Sequence, residues 1–137
     1  MCIRDRYYWD LNEGTRAFGR RFAARMNGHP MPDSAQAGQY SAVSHYLKAV
    51  AAMGVERAKA SGRAAIAQMR AIPVEDPIFG KSIIRPDGRV IHPIYLLEAK
   101  APSESKETWD LVKLVRTIPI DEAFRPMSEG GCPMIKA

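Results

Sequence analysis

Arg85-Pro86-Asp87-Gly88-Arg89-Val90-Ile91-His92-Pro93-Ile94-Tyr95-Leu96-Leu97-Glu98-Ala99 is the stretch on which the fold class turns. Its first five residues form a turn with a mechanism: Pro86 presets φ, Asp87 bonds nearby backbone, and Gly88 takes the left-handed position. The ten residues from Val90 to Ala99 are apolar at nearly every position. An unbroken apolar strand, unlike an alternating one, implies burial on both faces. Pro93 removes one ladder bond, so a bulge or an edge position is expected there.

Upstream, the pattern is helical. Tyr7 to Leu11 suits the end of a strand, and Asn12 or Thr15 can cap a helix over about Thr15–Met26. Phe18, Phe22 and Met26 recur every four residues on one face of it. Asn27-Gly28 stops that helix, and Pro30 and Pro32 keep the next stretch extended. A second helix starts near Asp33 or Ser34 and ends at Gly54, with Tyr40, Val43, Leu47 and Val50 as its expected buried stripe. Its many alanines make it thin, which predicts packing on more than one side. A third helix covers roughly Gly62–Ile72 with Ile66, Met69 and Ile72 inward, closed by Pro73. Downstream, Trp109–Ile118 suits a buried strand or a short helix, and its β-branched residues favour the strand. From Pro119 the chain reads as a surface tail with Phe124 and Met127 as anchors.

Counting these elements exposes a shortfall. Two or three strands cannot cover both the second helix and a strand buried on each side, because such a strand needs a layer above and a layer below. The expected fold class is therefore α/β and incomplete: part of a larger protein whose earlier strands are missing.

The totals allow one domain, with 137 residues of which 46% are hydrophobic. No apolar run approaches the roughly 20 residues that span a bilayer. Met1 to Arg6 has neither periodicity nor an apolar signal core, and it reads as a scar; residues 7–137 are the part that carries the fold. The net charge is +5, from 20 Lys+Arg against 15 Asp+Glu. The densest basic cluster is Arg16, Arg20, Arg21 and Arg25. A solvated basic surface is favoured over a nucleic-acid site, since elsewhere the charges alternate in sign.

Catalytic and metal chemistry find little support. His29, His45 and His92 have no metal-ligand spacing, and His45 is expected to face solvent. Cys2 and Cys132 lie at opposite ends, and no flanking motif makes Cys132 a nucleophile. Glu75-Asp76 and Asp121-Glu122 are adjacent carboxylates, which do not face one another on a helix or strand. No Gly-rich phosphate loop is present. No catalytic residue, metal or cofactor is expected.

Several ordered motifs carry a resemblance. Tyr8-Trp9-Asp10-Leu11-Asn12, Gln36-Ala37-Gly38-Gln39-Tyr40-Ser41-Ala42-Val43, Arg85-Pro86-Asp87-Gly88-Arg89, Pro102-Ser103-Glu104-Ser105-Lys106 and Trp109-Asp110 come in the order found in the C-terminal part of type I periplasmic binding proteins. The chain most resembles the leucine/isoleucine/valine-binding-like group of proteobacteria, from about residue 7 to the end. The tail, Asp121 to Pro126 and Cys132-Pro133, looks similar too.

That resemblance implies two Rossmann-like lobes joined by crossover strands, with ligand gripped between them. The chain would begin at a strand end in the second lobe, cross a hinge near Gln36–Tyr40, build helices of the first lobe and return through Val90–Ala99. Ligand contact would fall to Gln36, Ala37 and Gly38, with Tyr40 next on the helix. Gln36 offers an amide donor and acceptor, and Gly38 leaves room for a ligand to approach the backbone. For Tyr40, core packing is the favoured role.

The implied function is extracytoplasmic solute capture for an ABC importer, not catalysis, with branched-chain amino acids or a related small molecule as ligand. The implied partners are that ligand, the transporter permease and the missing N-terminal portion of the same protein. Localisation would be periplasmic, the signal peptide lying on the missing part, and Cys132 would there pair with a cysteine of that part. The competing reading is a small basic helical module that binds nucleic acid through the four arginines. An enzyme fragment using Cys132 or a histidine comes third.

Overall fold

The computed structural model describes residues 1–27 and 30–131, with the backbone alone for residues 2–4. Capping chemistry sets the helix boundaries. Asn12 accepts the Thr15 N–H at 3.0 Å while the Thr15 hydroxyl oxygen accepts the Asn12 N–H, opening α1 (Glu13–Arg25). Asp33 and Gln36 repeat the exchange at the head of α2 (Ser34–Met53), and Gly54 ends it at φ +87°. A short helix not expected from the sequence, α3 (Val55–Ala60), precedes α4 (Gly62–Ala71), which Ser61 caps.

The strands follow as β2 (Val74–Asp76), β3 (Gly80–Ile84), β4 (Val90–Ile91), β5 (Ile94–Ala99) and β6 (Val112–Ile118). A short helix α5 (Ile120–Ala123) and a 3-10 turn (Met127–Gly130) occupy the tail. The expected turn holds: Gly88 sits at φ +81°, its N–H donates to Arg85 O at 2.9 Å, and Asp87 accepts the Arg89 N–H at 3.1 Å. It joins β3 to β4 in an antiparallel sheet of order β2-β3-β4.

Pro93 does more than indent a strand. It divides Val90–Ala99 into two strands that serve different sheets: β4 closes the first, and β5 is the centre of the second. That second sheet has the order β1-β5-β6, all antiparallel, where β1 is Cys2–Asp5. Residues read as a scar thus occupy a strand, from Cys2 opposite Glu98 to Asp5 opposite Tyr95. Ladder bonds are made by backbone, so an extended segment can take the place without a matching side-chain pattern. A register shift between Leu96 and Leu97 leaves Val115 as a bulge in β6.

The core is small. Tyr7, Phe18, Ala37 and Ile78 are buried together, with Trp9, Phe22 and Phe79 packed around them. Tyr7 meets Phe18 edge-on, ring centres 6.1 Å apart. Close approach reaches the backbone at Gly14, where a Cβ would stand 1.8 Å from the Pro77 carbonyl oxygen.

Three burial expectations are corrected. On α2, Val43 and Leu47 are 53% and 57% exposed, and the buried positions are Ala37, His45 and Ala49. The thin face turns inward because alanines allow α4 to pack close, and the larger apolar side chains point away. On α4, Ile66 is exposed and Ala65 is the buried residue. In β5 only Leu97 is fully buried, and β6 is exposed along most of its length, so neither strand is covered on both faces here.

Candidate binding site

The hinge-side segment opens α2, and its three consecutive candidates, Gln36, Ala37 and Gly38, point in different directions, while Ala37 and Tyr40 both pack towards Phe18. Successive helix positions turn by about 100°, so Gln36, Ala37 and Gly38 cannot share a face. The Gln36 side chain accepts the Asp33 N–H at 2.9 Å and completes the cap. Ala37 is fully buried in the aromatic core. Tyr40 packs against Phe18 at a tilt, with ring centres 4.9 Å apart. Of the four, Gly38 alone lines the larger groove of the molecule; Tyr40 lines a smaller one.

The larger groove holds about 1180 Å³ between α2 and the β3–β4 hairpin, with Ser41, His45, Ser82, Arg89 and His92 among its walls. Several of its polar groups are hydrogen-bonded within the chain. The Ser41 hydroxyl donates to Asp76, whose other carboxylate oxygen accepts the Ile78 and Phe79 N–H groups at 2.7 and 2.8 Å. Asp76 therefore ties the β2–β3 turn to α2. His45, expected in solvent, is buried, with Nε2 2.8 Å from the Met69 carbonyl. A carbonyl only accepts, so Nε2 carries a proton, and Nδ1 finds no partner among the described residues. His92 is buried at the break between β4 and β5; it stacks on Phe79 at 4.8 Å, and burial lowers its pKa.

Sequence reasoning did not foresee a clasp made by the motifs at either end of the chain. The Tyr8 hydroxyl and the Trp9 indole N–H both donate to the Trp109 carbonyl, at 2.7 and 2.8 Å, and Leu111 N–H donates back to the Tyr8 oxygen at 3.1 Å. Asp110 accepts from Lys100 and, at 3.0 Å, from the Lys106 N–H. The Lys100 ammonium accordingly holds the Asp110 carboxyl below its usual range, and Asp110 raises Lys100 in return. The signal was present in Tyr8-Trp9 and Trp109-Asp110, but partners a hundred residues apart cannot be matched by periodicity.

Among the described residues no group of three or more His, Cys, Asp and Glu is placed to hold a metal, and no helix is long and apolar enough to cross a membrane. His29 and Cys132 lie outside the described residues.

A fold with two small antiparallel sheets and an alanine-faced helical layer is shared by known proteins. The family model for periplasmic binding proteins matches residues 2–106, and the chain belongs to that family. A crystal structure of a periplasmic binding protein from Burkholderia mallei is 40% identical with a TM-score of 0.80, over 94% of this chain and 32% of that one. A branched-chain amino acid ABC transporter periplasmic ligand-binding protein from Burkholderia xenovorans LB400 is 37% identical with a TM-score of 0.79, over 93% of this chain and 33% of that one. An amino acid ABC transporter substrate-binding protein from Pseudomonas fluorescens Pf-5, 22% identical with a TM-score of 0.71 over 96% of this chain and 33% of that one, shares the fold. No curated protein matches. The chain spans about a third of the length of the solved structures it resembles. Its α/β architecture is one part of a periplasmic binding protein fold.

Proposed function

We propose that residues 7–137 are the C-terminal portion of a two-lobed periplasmic protein that captures a branched-chain amino acid or a related small molecule for an ABC importer. No bond is made or broken in this role: the lobes close on the ligand and the closed form docks on the permease. The observation that carries the reading is the combined match in sequence and fold to binding proteins three times as long. The outward Val43 and Leu47 on α2, and Leu114 and Val115 on β6, fit surfaces that the remaining lobes would cover. Residues 1–6 would stand where a strand of the complete protein runs, and the signal peptide would precede them.

In the same reading, Gly38 is the position of the hinge segment best placed to meet ligand. Gln36 would contribute by fixing the start of α2, Ala37 by seating it on the core, and Tyr40 by packing on Phe18. Calorimetric titration with leucine tests the proposal in two arms. The 137-residue chain alone binds no leucine in the micromolar range, because most of the cleft is elsewhere. A complete protein carrying this portion binds leucine, isoleucine, valine or a close analogue. Micromolar binding by the short chain, or indifference of the complete protein to amino acids and their amides, overturns it.

A further inference from the structure

The Arg85–Arg89 turn holds the only Asp-Gly step in the sequence, Asp87-Gly88. An aspartate followed by glycine is where a chain most readily reacts with itself, because no side chain hinders attack by the glycine nitrogen on the neighbouring carboxyl carbon. Here that approach is sterically open: a Cβ on Gly88 would meet nothing within 4 Å, and the residue is exposed. Hydrogen bonds oppose it instead. The Arg85 guanidinium grips both carboxylate oxygens of Asp87, Nε donating to Oδ1 at 3.1 Å and Nη2 to Oδ2, and the Arg89 N–H donates to Oδ1 at 3.1 Å. The Gly88 N–H is committed to Arg85 O at 2.9 Å. The fork is itself fixed. Its Nη1 donates to the Arg125 carbonyl at 3.0 Å, and Arg70 of α4 donates to the Arg85 and Pro86 carbonyls at 3.3 and 2.8 Å. The guanidinium holds the Asp87 carboxyl well below its ordinary value, at about 2.

We infer that Asp87-Gly88 is a site of spontaneous backbone isomerisation, aspartate to isoaspartate, and that Arg85 is the positioning residue that keeps it closed. The chemistry releases one water and takes one back. The Gly88 nitrogen bonds to the Asp87 side-chain carboxyl carbon, and its proton leaves with the carboxyl hydroxyl as water. Water then opens the cyclic imide at either carbonyl. One opening restores aspartate; the other runs the backbone through the side-chain carboxyl carbon and leaves isoaspartate. A carboxylate is a poor electrophile, so an Asp87 that is ionised and held at both oxygens does not enter the sequence. Isoaspartate adds a backbone carbon to a turn closed by the Arg85 N–H to Arg89 O bond of 2.9 Å, so β4 loses its register with β3. Every group involved belongs to this chain, so solute capture plays no part.

The test incubates the 137-residue chain at neutral pH and follows the tryptic peptide Ser82–Arg89 by liquid chromatography and mass spectrometry, which separates its isoaspartyl and aspartyl forms. Folded wild type accumulates isoaspartate at least about tenfold more slowly than the same chain in urea. Arg85→Met accelerates the folded chain roughly tenfold, the scale of losing a pair of charge-assisted hydrogen bonds. Arg85→Lys, which keeps the charge without the fork, falls between. Arg70→Met, which loosens the turn without touching the carboxylate, changes the rate less than about twofold. In urea, wild type and Arg85→Met isomerise alike. Equal rates for folded and unfolded wild type, for Arg85→Lys and Arg85→Met, or for Arg85→Met and Arg70→Met overturn the proposal, and so does a rate difference that survives in urea. Should Trp9 and Trp109 emission show Arg85→Met unfolded, Arg85→Lys against wild type decides, and an unchanged rate there also overturns it.

Discussion

The aromatic core around Tyr7 and Phe18 and the helical layer of α2 to α4 treat apolar side chains in opposite ways. In the first, rings from the start of the chain, α1 and the β2–β3 turn bury one another. In the second, alanines face inward while Val43, Leu47 and Ile66 face out. The core is sealed by local geometry plus the clasp between Tyr8, Trp9 and the Trp109 carbonyl. The layer leaves apolar surface without cover. Self-sufficiency in one region and deficit in the other is what one portion of a larger α/β protein should show.

The contrast can be broken at its strong end first. Phe18→Ala should lower stability by about 3–5 kcal/mol, the usual cost of deleting a buried ring, measured by urea denaturation followed by tryptophan emission. A loss under about 1 kcal/mol, within the range of ordinary surface changes, would mean that the aromatic cluster is not the core.

The clasp responds to acid. Asp110 has a lowered folded pKa, so its contribution is present above the unfolded carboxyl value of about 4 and is lost as pH falls through the lower folded value. Lys100 has a raised one, so its share is present below the unfolded lysine value of about 10 and is lost as pH rises through the higher folded value. Trp9 and Trp109 emission should therefore shift red in acid, below about pH 4, and Asp110→Asn should flatten that limb. An unchanged acid limb in the variant would remove Asp110 from the clasp.

The weak end should be the least sensitive. Leu47→Lys should change the stability of this chain by no more than about 0.5 kcal/mol, as surface substitutions do, and should cost much more in a complete two-lobed protein. Equal tolerance in both would leave the exposed stripe of α2 without a partner.

Local features were readable without coordinates. Asn12 and Asp33 announce the starts of α1 and α2, Gly54 the end of α2, and Arg85–Arg89 the β3–β4 turn, because each acts within a few residues of itself. The orientation of α2 was not readable. A stripe of larger apolar residues predicts a buried face only when the covering element is present, and here the alanine face packs instead. His45 was missed for a related reason: its burial depends on the Met69 carbonyl, 24 residues away. The candidate segment, residues 36–40, does not gather into one constellation: Gln36 caps α2, Ala37 and Tyr40 pack at Phe18, and Gly38 lines the groove beside the β3–β4 hairpin.

The sequence alone determined where α1 and α2 begin to within a residue or two, the Asp87-Gly88 turn, the loss of a ladder bond at Pro93 and the family likeness, all consequences of short-range backbone chemistry and ordered motifs. Tertiary structure alone decided that Val90–Ala99 serves two sheets, that Tyr8 and Trp9 share the Trp109 carbonyl, and which side of α2 is buried. Those outcomes rest on surfaces meeting across long stretches of chain, and a contact of that kind has no period for a sequence to display.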